Sequence, residues 1–381
     1  MKAFTIIFLS VLLLNSSNLQ TTKYTMNEID HTLIKQIWQD KAPSVQYAIF
    51  NKDSIIQRFQ LGFADIKNQI KTNERTSYHA YSVTKTFTTI AVMQLAEQKK
   101  LNIDQPVIKY LPEFPYSAEI TIRQLMTHSA GIPNPIPLSW IHLAEENKNF
   151  DRDGFFRRIF IKKNKTKSKP NKKYAYSNLG YVLLGQIIER VSGLSYEDYI
   201  REHIFKPLNI KANELDFTIT EPMRHAKGYH KKYSFSNAIL GLFIDKSKYM
   251  DKTEGKWDSF KDNYVNGTSY GGLIGTSNSF VKYIQELLKP DCKLLTDEYK
   301  KMLFTENYTS DNKATGMCLS WFSGQLNGTQ YFAHAGGGGG YYCEIRIYPK
   351  SGIGSVIMFN RTGMTDERFL DRLDKYIINE K

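Results

Sequence analysis

The chain has 381 residues, of which 41% are hydrophobic and 23% are charged. This composition is typical of a globular protein and excludes an intrinsically disordered chain. The formal net charge of +13 favours anionic partners at the surface.

The first segment has the layout of a secretory signal. Lys2 precedes an apolar run at residues 3–14, and the polar residues 15–22 follow it. Because this run is too short to cross a bilayer comfortably, we expect residues 1–20 to form a signal peptide with an approximate cleavage site. The alternative is a buried first helix. With the signal removed, the protein would be secreted or periplasmic.

Strand signals lie near both chain ends, and helix signals dominate between them. The dipeptide Asn327-Gly328 between two apolar segments predicts a hairpin. The predicted strands are residues 44–50, 55–63, 317–322, 330–335, 341–348 and 355–360. The predicted helices are residues 26–39, 82–98, 180–191, 195–204 and 365–378.

This order predicts an α/β (α+β) fold with one sheet built from both chain ends and flanked by helices. The domain would span residues 25–381, with a sheet part at residues 25–80 and 265–381. A mostly helical subdomain, residues 81–264, would be inserted between them, although residues 211–268 have no firm period. We expect a cleft where the two parts join, because ligand sites favour such boundaries.

Basic residues are concentrated in the segment Lys162–Lys173. A solvated loop is the simpler interpretation, and attraction to an anionic envelope polymer is the functional alternative. Nucleic acid is not expected as a partner, because aromatic residues are not interleaved with the lysines. We expect the protein to be a monomer. Cys292, Cys318 and Cys343 allow at most one bridge and form no metal framework, so buried free thiols are predicted.

The pair Ser82 and Lys85 is notable because the lysine lies inside an apolar helical segment, residues 82–98. The same Ser-x-x-Lys spacing at residues 279–282 and 310–313 falls in an ordinary amphipathic helix and a polar loop. Residues three apart share a helix face, so these two side chains can touch. A buried lysine whose pKa falls from about 10.4 toward about 7 can take the serine proton and create a nucleophile.

Two later segments carry further candidate site residues. Tyr176-Ser-Asn178 precedes a predicted helix, where the phenol can face the lysine and the amide can reach a substrate carbonyl. A core tyrosine and a helix-capping asparagine are the structural alternatives. His334-Ala-Gly336 lies on a predicted strand, where Gly336 and Gly337 leave room for a ligand against the backbone. The Gly337 amide and that of the serine are candidate oxyanion donors.

The motifs SVTK, YSN and HAG, in this order, resemble those of the serine β-lactamase and penicillin-binding protein superfamily. The nearest branch is that of class C β-lactamases, D-alanyl-D-alanine carboxypeptidases and related esterases. The segments ITIRQLMTHSAGIP and YSNLGYVLLGQIIERVSGLSYEDYI are also similar. The resemblance covers residues 40–362 and is weakest at residues 211–268. It implies an antiparallel sheet with a helical insert, and no metal or cofactor.

The resemblance also implies roles for individual residues. Ser82 would be the acylated nucleophile, Lys85 its partner and Tyr176 the proton relay. Asn178 would contact the substrate amide, and Gly337 would supply the second oxyanion amide.

Two positions depart from the family pattern. Tyr81 stands where members usually have a small residue, which would narrow the site. His334 stands where many members carry a lysine, and a neutral imidazole attracts a substrate carboxylate less strongly.

The implied function is that of an exported serine hydrolase that forms an acyl-enzyme with amides or esters. D-amino-acid peptides, including peptidoglycan stem peptides, are the leading substrates. An esterase, a β-lactamase, or a non-catalytic penicillin-binding or sensor protein are the alternatives.

Overall fold

The computed structural model describes residues 27–135, 139–362 and 368–378, so the predicted signal peptide lies outside it. The described residues form fifteen β-strands and twelve α-helices. The strands are β1 Ser44–Asn51, β2 Ile55–Asp65, β3 Ile70–Lys71, β4 Tyr78–His79, β5 Ile141–Leu143, β6 Leu215–Asp216, β7 Tyr229–Lys231, β8 Met250–Glu254, β9 Trp257–Phe260, β10 Asn263–Val265, β11 Ile274–Gly275, β12 Phe322–Leu326, β13 Thr329–Gly338, β14 Tyr341–Tyr348 and β15 Ile353–Phe359. The helices are α1 Glu28–Trp38, α2 Thr84–Glu97, α3 Ile122–Met126, α4 Arg152–Lys162, α5 Asn178–Ser192, α6 Tyr196–Ile200, α7 Phe235–Leu240, α8 Lys246–Tyr249, α9 Thr268–Gly271, α10 Ser277–Leu288, α11 Asp297–Leu303 and α12 Asp371–Asp374.

The main sheet joins the two ends of the chain, as predicted. Its seven strands follow the order β12-β13-β14-β15-β1-β2-β3, and their pairings are antiparallel. Strand β1 pairs with β15 in the register Ala48 to Val356, although the two strands lie about 300 residues apart in sequence. The sheet therefore depends on pairing between segments that are far apart in the sequence.

Strand β1 is apolar on both faces because each face is covered. Ala48 and Phe50 point into the large core shared with the insert. Val45, Tyr47 and Ile49 pack on the other face, in the core that includes residues of the terminal helices α1 and α12. Successive side chains of a strand point to opposite faces, so a strand buried on both faces needs apolar residues on each of them.

The last third contains the predicted hairpin, but one strand was placed too early. Asn327 and Gly328 have φ values of 47° and 70°, which a two-residue primed turn requires. Strand β12 therefore occupies Phe322–Leu326, next to the turn, and the strand predicted at residues 317–322 is wrong. The helix predicted over residues 365–378 is also wrong in extent. Residues 365–367 lie outside the described residues, and α12 occupies only Asp371–Asp374.

Three small sheets lie in the insert and at its borders, in addition to the predicted helices. Their strand orders are β10-β5, β4-β11-β6 and β7-β9-β8. Residues 211–268, which lack a sequence period, hold several of these strands and the short helices α7 and α8. Elements of two to six residues are too short to establish a hydrophobic period.

Helix α2 forms the centre of the molecule. Every residue from Thr84 to Ala96 is buried, so this helix is surrounded on all sides instead of showing one apolar face. It is preceded by a 3₁₀ turn at Tyr81–Val83, and Ser82 therefore lies in this turn. Helix α5 packs against α2, and its Ser177 N-cap and Gly193 C-cap, with φ of 76°, fix its two ends.

Several sequence expectations can be compared directly with the described residues. Cys318 and Cys343 are buried free thiols, and Cys292 is a half-buried one. Across residues 27–135, 139–362 and 368–378, none of the helices has the length and hydropathy needed to traverse a bilayer. In the same ranges, no group of three His, Cys, Asp or Glu side chains is placed to hold a metal ion.

The sheet also contains a buried ion pair. The Arg346 guanidinium lies 2.5 Å from the Glu344 carboxylate, and their side chains are 0% and 1% exposed. Tyr342 Oη and the Leu370 amide also donate to Glu344, so the carboxylate is well coordinated. Removal of one partner from such a pair leaves a buried charge uncompensated.

We expect Arg346→Met to lower the free energy of unfolding by about 3 kcal/mol, because it leaves the Glu344 carboxylate without its cation. Arg190→Met is the matched control, since the Arg190–Glu113 pair is 55% and 64% exposed. This control should cost less than about 1 kcal/mol. Urea unfolding measures both values, and equal losses would contradict a structural role for the buried pair.

Candidate active site

The structure brings three of the predicted residues into contact. Nζ of Lys85 lies 3.0 Å from Oγ of Ser82, and Oη of Tyr176 donates to the same Oγ at 2.9 Å. The serine and lysine are neighbours because they lie three residues apart across the start of α2, whereas Tyr176 comes from the loop before α5. The serine oxygen is thus held between an amine and a phenol.

The amino group of Lys85 is held away from water. The residue is 0% exposed, and Nζ lies 5.1 Å, 5.5 Å and 5.4 Å from the ring centres of Tyr176, Tyr181 and Tyr270. Burial lowers the pKa of Lys85 well below its ordinary value of 10.5. A neutral amine next to a hydroxyl can accept its proton.

A residue that sequence reasoning missed also holds this amine. Nζ of Lys85 donates to the backbone carbonyl of Tyr270 at 2.7 Å. Two threonines of α2 hold the backbone on either side of that carbonyl. Thr88 Oγ1 donates to the Ser269 carbonyl, and Thr84 Oγ1 accepts from the Leu273 amide. A backbone acceptor leaves no residue-type signal, so the sequence could not identify it.

His128 is a second residue that was missed, and it positions Tyr176. Its ring centre lies 4.2 Å from that of Tyr176. The residue, with φ of 54°, also accepts hydrogen bonds from both neighbours of the tyrosine. The Ala175 amide donates to the His128 carbonyl at 2.7 Å, and the Ser177 amide donates to Nδ1 at 3.1 Å. Burial lowers the pKa of His128 well below its ordinary value, so the ring is neutral.

The glycines of β13 allow the main sheet to approach Ser82. A Cβ atom on Gly336 would lie 2.5 Å from the Ser82 amide nitrogen and 2.2 Å from the Ala80 carbonyl oxygen. The adjacent Gly337 is exposed and lines the cleft together with Ser82. This arrangement is what the predicted oxyanion donors, the Ser82 and Gly337 amides, require.

Tyr81 occupies space that the other glycines of this segment leave open. A Cβ atom on Gly339 would lie 2.1 Å from Oη of Tyr81, and one on Gly338 would lie 3.2 Å from its ring. Tyr81 itself has φ of 45°, an uncommon conformation for a bulky residue. Tyr81 is one of the residues that line the cleft, and the expectation that it narrows the site stays a prediction.

The structure places Asn178 at the cleft and His334 behind it. Asn178 is the first residue of α5, and its Oδ1 lacks a hydrogen-bond partner among the described residues. His334 is 1% exposed, and its Nδ1 donates to the Ser320 carbonyl at 2.6 Å. Burial lowers the pKa of His334 to about 3, so it supplies no positive charge. Its side chain is not part of the described cleft wall, and contact with a substrate stays a prediction.

A cleft of about 520 Å³ opens above Ser82. The main sheet contributes its glycine segment, residues 337–339, and the insert contributes most of the remaining wall. The other lining residues are Tyr81, Ile141, Tyr176, Asn178, His230, Phe235, Ser236, Ile239, Leu240, Ile244, Phe260, Val265, Tyr270, Gly271 and Thr362. The cleft therefore lies at the junction of the two parts, where ligand sites are common.

Comparison with known proteins gives a family and several related folds. The family described as "Beta-lactamase" matches residues 30–377. Protein flp of Staphylococcus aureus strain MW2 is 25% identical over 368 residues, which covers 94% of this chain and 68% of that protein. The D-amino acid amidase of Ochrobactrum anthropi SV3, solved with D-phenylalanine, has a TM-score of 0.73 at 20% identity and covers 92% of this chain and 98% of that one. A class C beta-lactamase has a TM-score of 0.71 at 18% identity, with coverages of 93% and 96%.

The lowered pKa of Lys85 predicts how the reactivity of Ser82 depends on pH. The rate constant for its covalent labelling by an alkyl fluorophosphonate should fall as the pH drops through the lowered lysine pKa, because the protonated amine cannot accept the serine proton. Lys85→Met should slow labelling at pH 8 by about 100-fold or more. Intact-protein mass spectrometry measures both. A rate that continues to rise up to the ordinary lysine pKa would contradict a neutral amine.

The close approach of β13 to Ser82 predicts a specific effect of one methyl group. Gly336→Ala should slow labelling of Ser82 by about tenfold or more, because its Cβ would force the strand away from the Ser82 amide. Gly328→Ala is the control. It strains the hairpin turn at φ of 70° but lies where no atom is within 4 Å of its Cβ, so labelling should be unchanged. Equal rates for the two variants would contradict the proposed contact.

Proposed function

The chain belongs to the beta-lactamase family, and from this premise we propose that it is a serine hydrolase that forms an acyl-enzyme at Ser82 with amide or ester substrates. The observation that carries the proposal is the contact of Ser82 Oγ with both Lys85 and Tyr176. A serine between a neutral amine and a phenol has a proton acceptor and a proton donor within reach of one reaction centre.

The acylation step follows from this geometry. Lys85 accepts the proton of Ser82 as Oγ attacks the substrate carbonyl carbon, and the carbonyl oxygen becomes an anion. The Ser82 and Gly337 amides stabilise that anion. As the bond to the leaving group breaks, Tyr176 donates a proton to the leaving nitrogen or oxygen and is reprotonated from Lys85.

Deacylation reverses these roles. A water molecule attacks the acyl carbon after loss of its proton to the Lys85 and Tyr176 pair, and this proton returns to Ser82 Oγ as the ester bond breaks. The products are a carboxylic acid and an amine or alcohol, and the enzyme is regenerated. No redox partner or second substrate besides water is needed.

D-amino-acid peptides are the leading substrate class, and an esterase is the second candidate. The similarity to a D-amino acid amidase fold supports the former. A neutral His334 favours an esterase over enzymes that hold a substrate carboxylate. A purely binding role is disfavoured by a complete and mutually hydrogen-bonded catalytic set, because a scaffold needs none of it.

The proposal includes export, based on the apolar N-terminal segment of the sequence. An anionic envelope polymer at Lys162–Lys173 is part of the same proposal. In this segment, Lys172 pairs with Asp311 at 2.6 Å, and the side chains of this pair are 55% and 46% exposed.

The test is a hydrolase panel of p-nitrophenyl esters, D-amino-acid amides, D-alanyl-D-alanine peptides and β-lactams. We expect wild-type protein to turn over at least one class, with an acyl adduct on Ser82 visible by mass spectrometry after acid quench. Ser82→Ala should reduce turnover to the background rate, because no other group supplies the nucleophile.

Ser310→Ala is the matched control. Ser310 has the same Ser-x-x-Lys spacing as Ser82 but is exposed and lies outside the cleft wall, so the variant should retain turnover. Wild-type turnover in Ser82→Ala would overturn the mechanism. A folded wild-type protein that leaves every substrate intact would favour the binding alternative.

A further inference from the structure

One wall of the cleft is apolar and comes from the part of the chain that has no sequence period. Helix α7 contributes Phe235, Ile239 and Leu240, and Ile244 and Phe260 lie beside them. Leu240, Ile244 and Phe260 belong to one small buried cluster. This wall is therefore built on a packed base and does not depend on isolated side chains.

The rim of this wall is apolar but exposed to solvent. Phe235 lines the cleft although 81% of its surface is accessible to solvent. Exposed apolar surface beside a binding site gains free energy when a ligand covers it. The ring is thus placed to contact an apolar group that extends out of the cleft.

The cleft also lacks formal charge. Among the described lining residues there is no Asp, Glu, Lys or Arg. His230 is the lining imidazole, and burial lowers its pKa, which keeps it neutral. His334, behind the wall, is neutral for the same reason.

These features set what the cleft can bind. A carboxylate would lose part of its hydration against the apolar wall, and no Lys or Arg side chain is among the described lining residues to offset that loss. Arg361 and Lys246 act electrostatically on His230 from outside this lining. Neutral polar groups are better accommodated, because Asn178 Oδ1 can accept a hydrogen bond and the hydroxyls of Ser236 and Thr362 can donate or accept one. An apolar group gains from contact with the wall.

We propose that the substrates are uncharged amides or esters that place an apolar group against the α7 wall. This rests on the proposed hydrolase function and names the substrate class of that same site. Within D-amino-acid substrates, it selects amides and esters over peptides that end in a free carboxylate near the scissile bond.

The net charge of the chain acts against the proposed preference for uncharged substrates. A formal net charge of +13 attracts anionic substrates by long-range electrostatics and so favours carboxylates in the encounter step. A preference for neutral substrates must therefore come from the cleft itself. Raising the salt concentration weakens the long-range term and should increase that preference.

The first test compares p-nitrophenyl butyrate with mono-p-nitrophenyl succinate, which differ by a terminal methyl against a terminal carboxylate. We expect kcat/KM to be at least tenfold higher for the butyrate, after subtraction of the Ser82→Ala rate. Equal values, or faster turnover of the succinate, would overturn the proposal.

Variants locate the effect in the α7 wall. Ile239→Lys should reduce the butyrate-to-succinate ratio at least fivefold, because it introduces a cation at a partly exposed position in the cleft. Ser236→Lys is a second variant at an exposed lining position, in case the first fails to fold. Ile161→Lys, at a position 68% exposed on α4 and outside the cleft, should leave the ratio unchanged. An unchanged ratio in folded Ile239→Lys or Ser236→Lys would overturn the assignment to this wall.

A binding measurement separates this proposal from the proposed function. Ser82→Ala protein is titrated with hexanamide and with adipic acid monoamide, and saturation-transfer NMR reports binding. We expect the neutral amide to bind at least tenfold more tightly. If no substrate of the hydrolase panel is turned over but hexanamide is preferred, the hydrolase function fails and the cleft assignment stands. If substrate is turned over but adipic acid monoamide binds more tightly than hexanamide, the cleft assignment fails and the hydrolase function stands.

Discussion

The contact between the Lys85 amine and the Ser82 hydroxyl is the constraint on which the rest of the structure depends. A buried lysine in the first turn of a helix is unfavourable when charged, and burial therefore keeps the amine neutral and basic toward a nearby hydroxyl. The surrounding structure maintains this state. Helix α2 is covered on every side, tyrosine rings exclude water from the amine, and the Tyr270 carbonyl directs one of its hydrogens away from the serine.

The two parts of the fold contribute different halves of the site. The insert supplies Tyr176, which His128 holds in place through its ring and its backbone. The main sheet supplies the glycine segment of β13, which approaches Ser82 closely enough that a methyl group on Gly336 would collide with its backbone. Because β13 belongs to the sheet built from both chain ends, the geometry of the site depends on the correct pairing of that sheet.

The titratable groups in and near the cleft share one property, which is that burial favours their neutral forms. Lys85, His128 and His334 all have pKa values below their ordinary range, and desolvation is the largest cause in each case. The basic surface of the protein does not extend into the described cleft wall. The basicity proposed for Lys85 and the proposed preference for apolar substrates thus share one physical origin, the low dielectric environment around Ser82.

The sequence alone determined the class of fold and the order of the motifs, and it selected Ser82, Lys85 and Tyr176 as candidates, which the structure places in contact. These predictions depend on local spacing and on residue type. The bounds of the strand before the hairpin and the length of the last helix were less well predicted, since turn geometry and burial by distant segments decide them. Only the tertiary structure decided the backbone acceptor at Tyr270, the inward direction of His334 and the apolar wall formed by residues without a sequence period. Each of these arises from contacts between segments far apart in the chain, which a linear pattern does not encode.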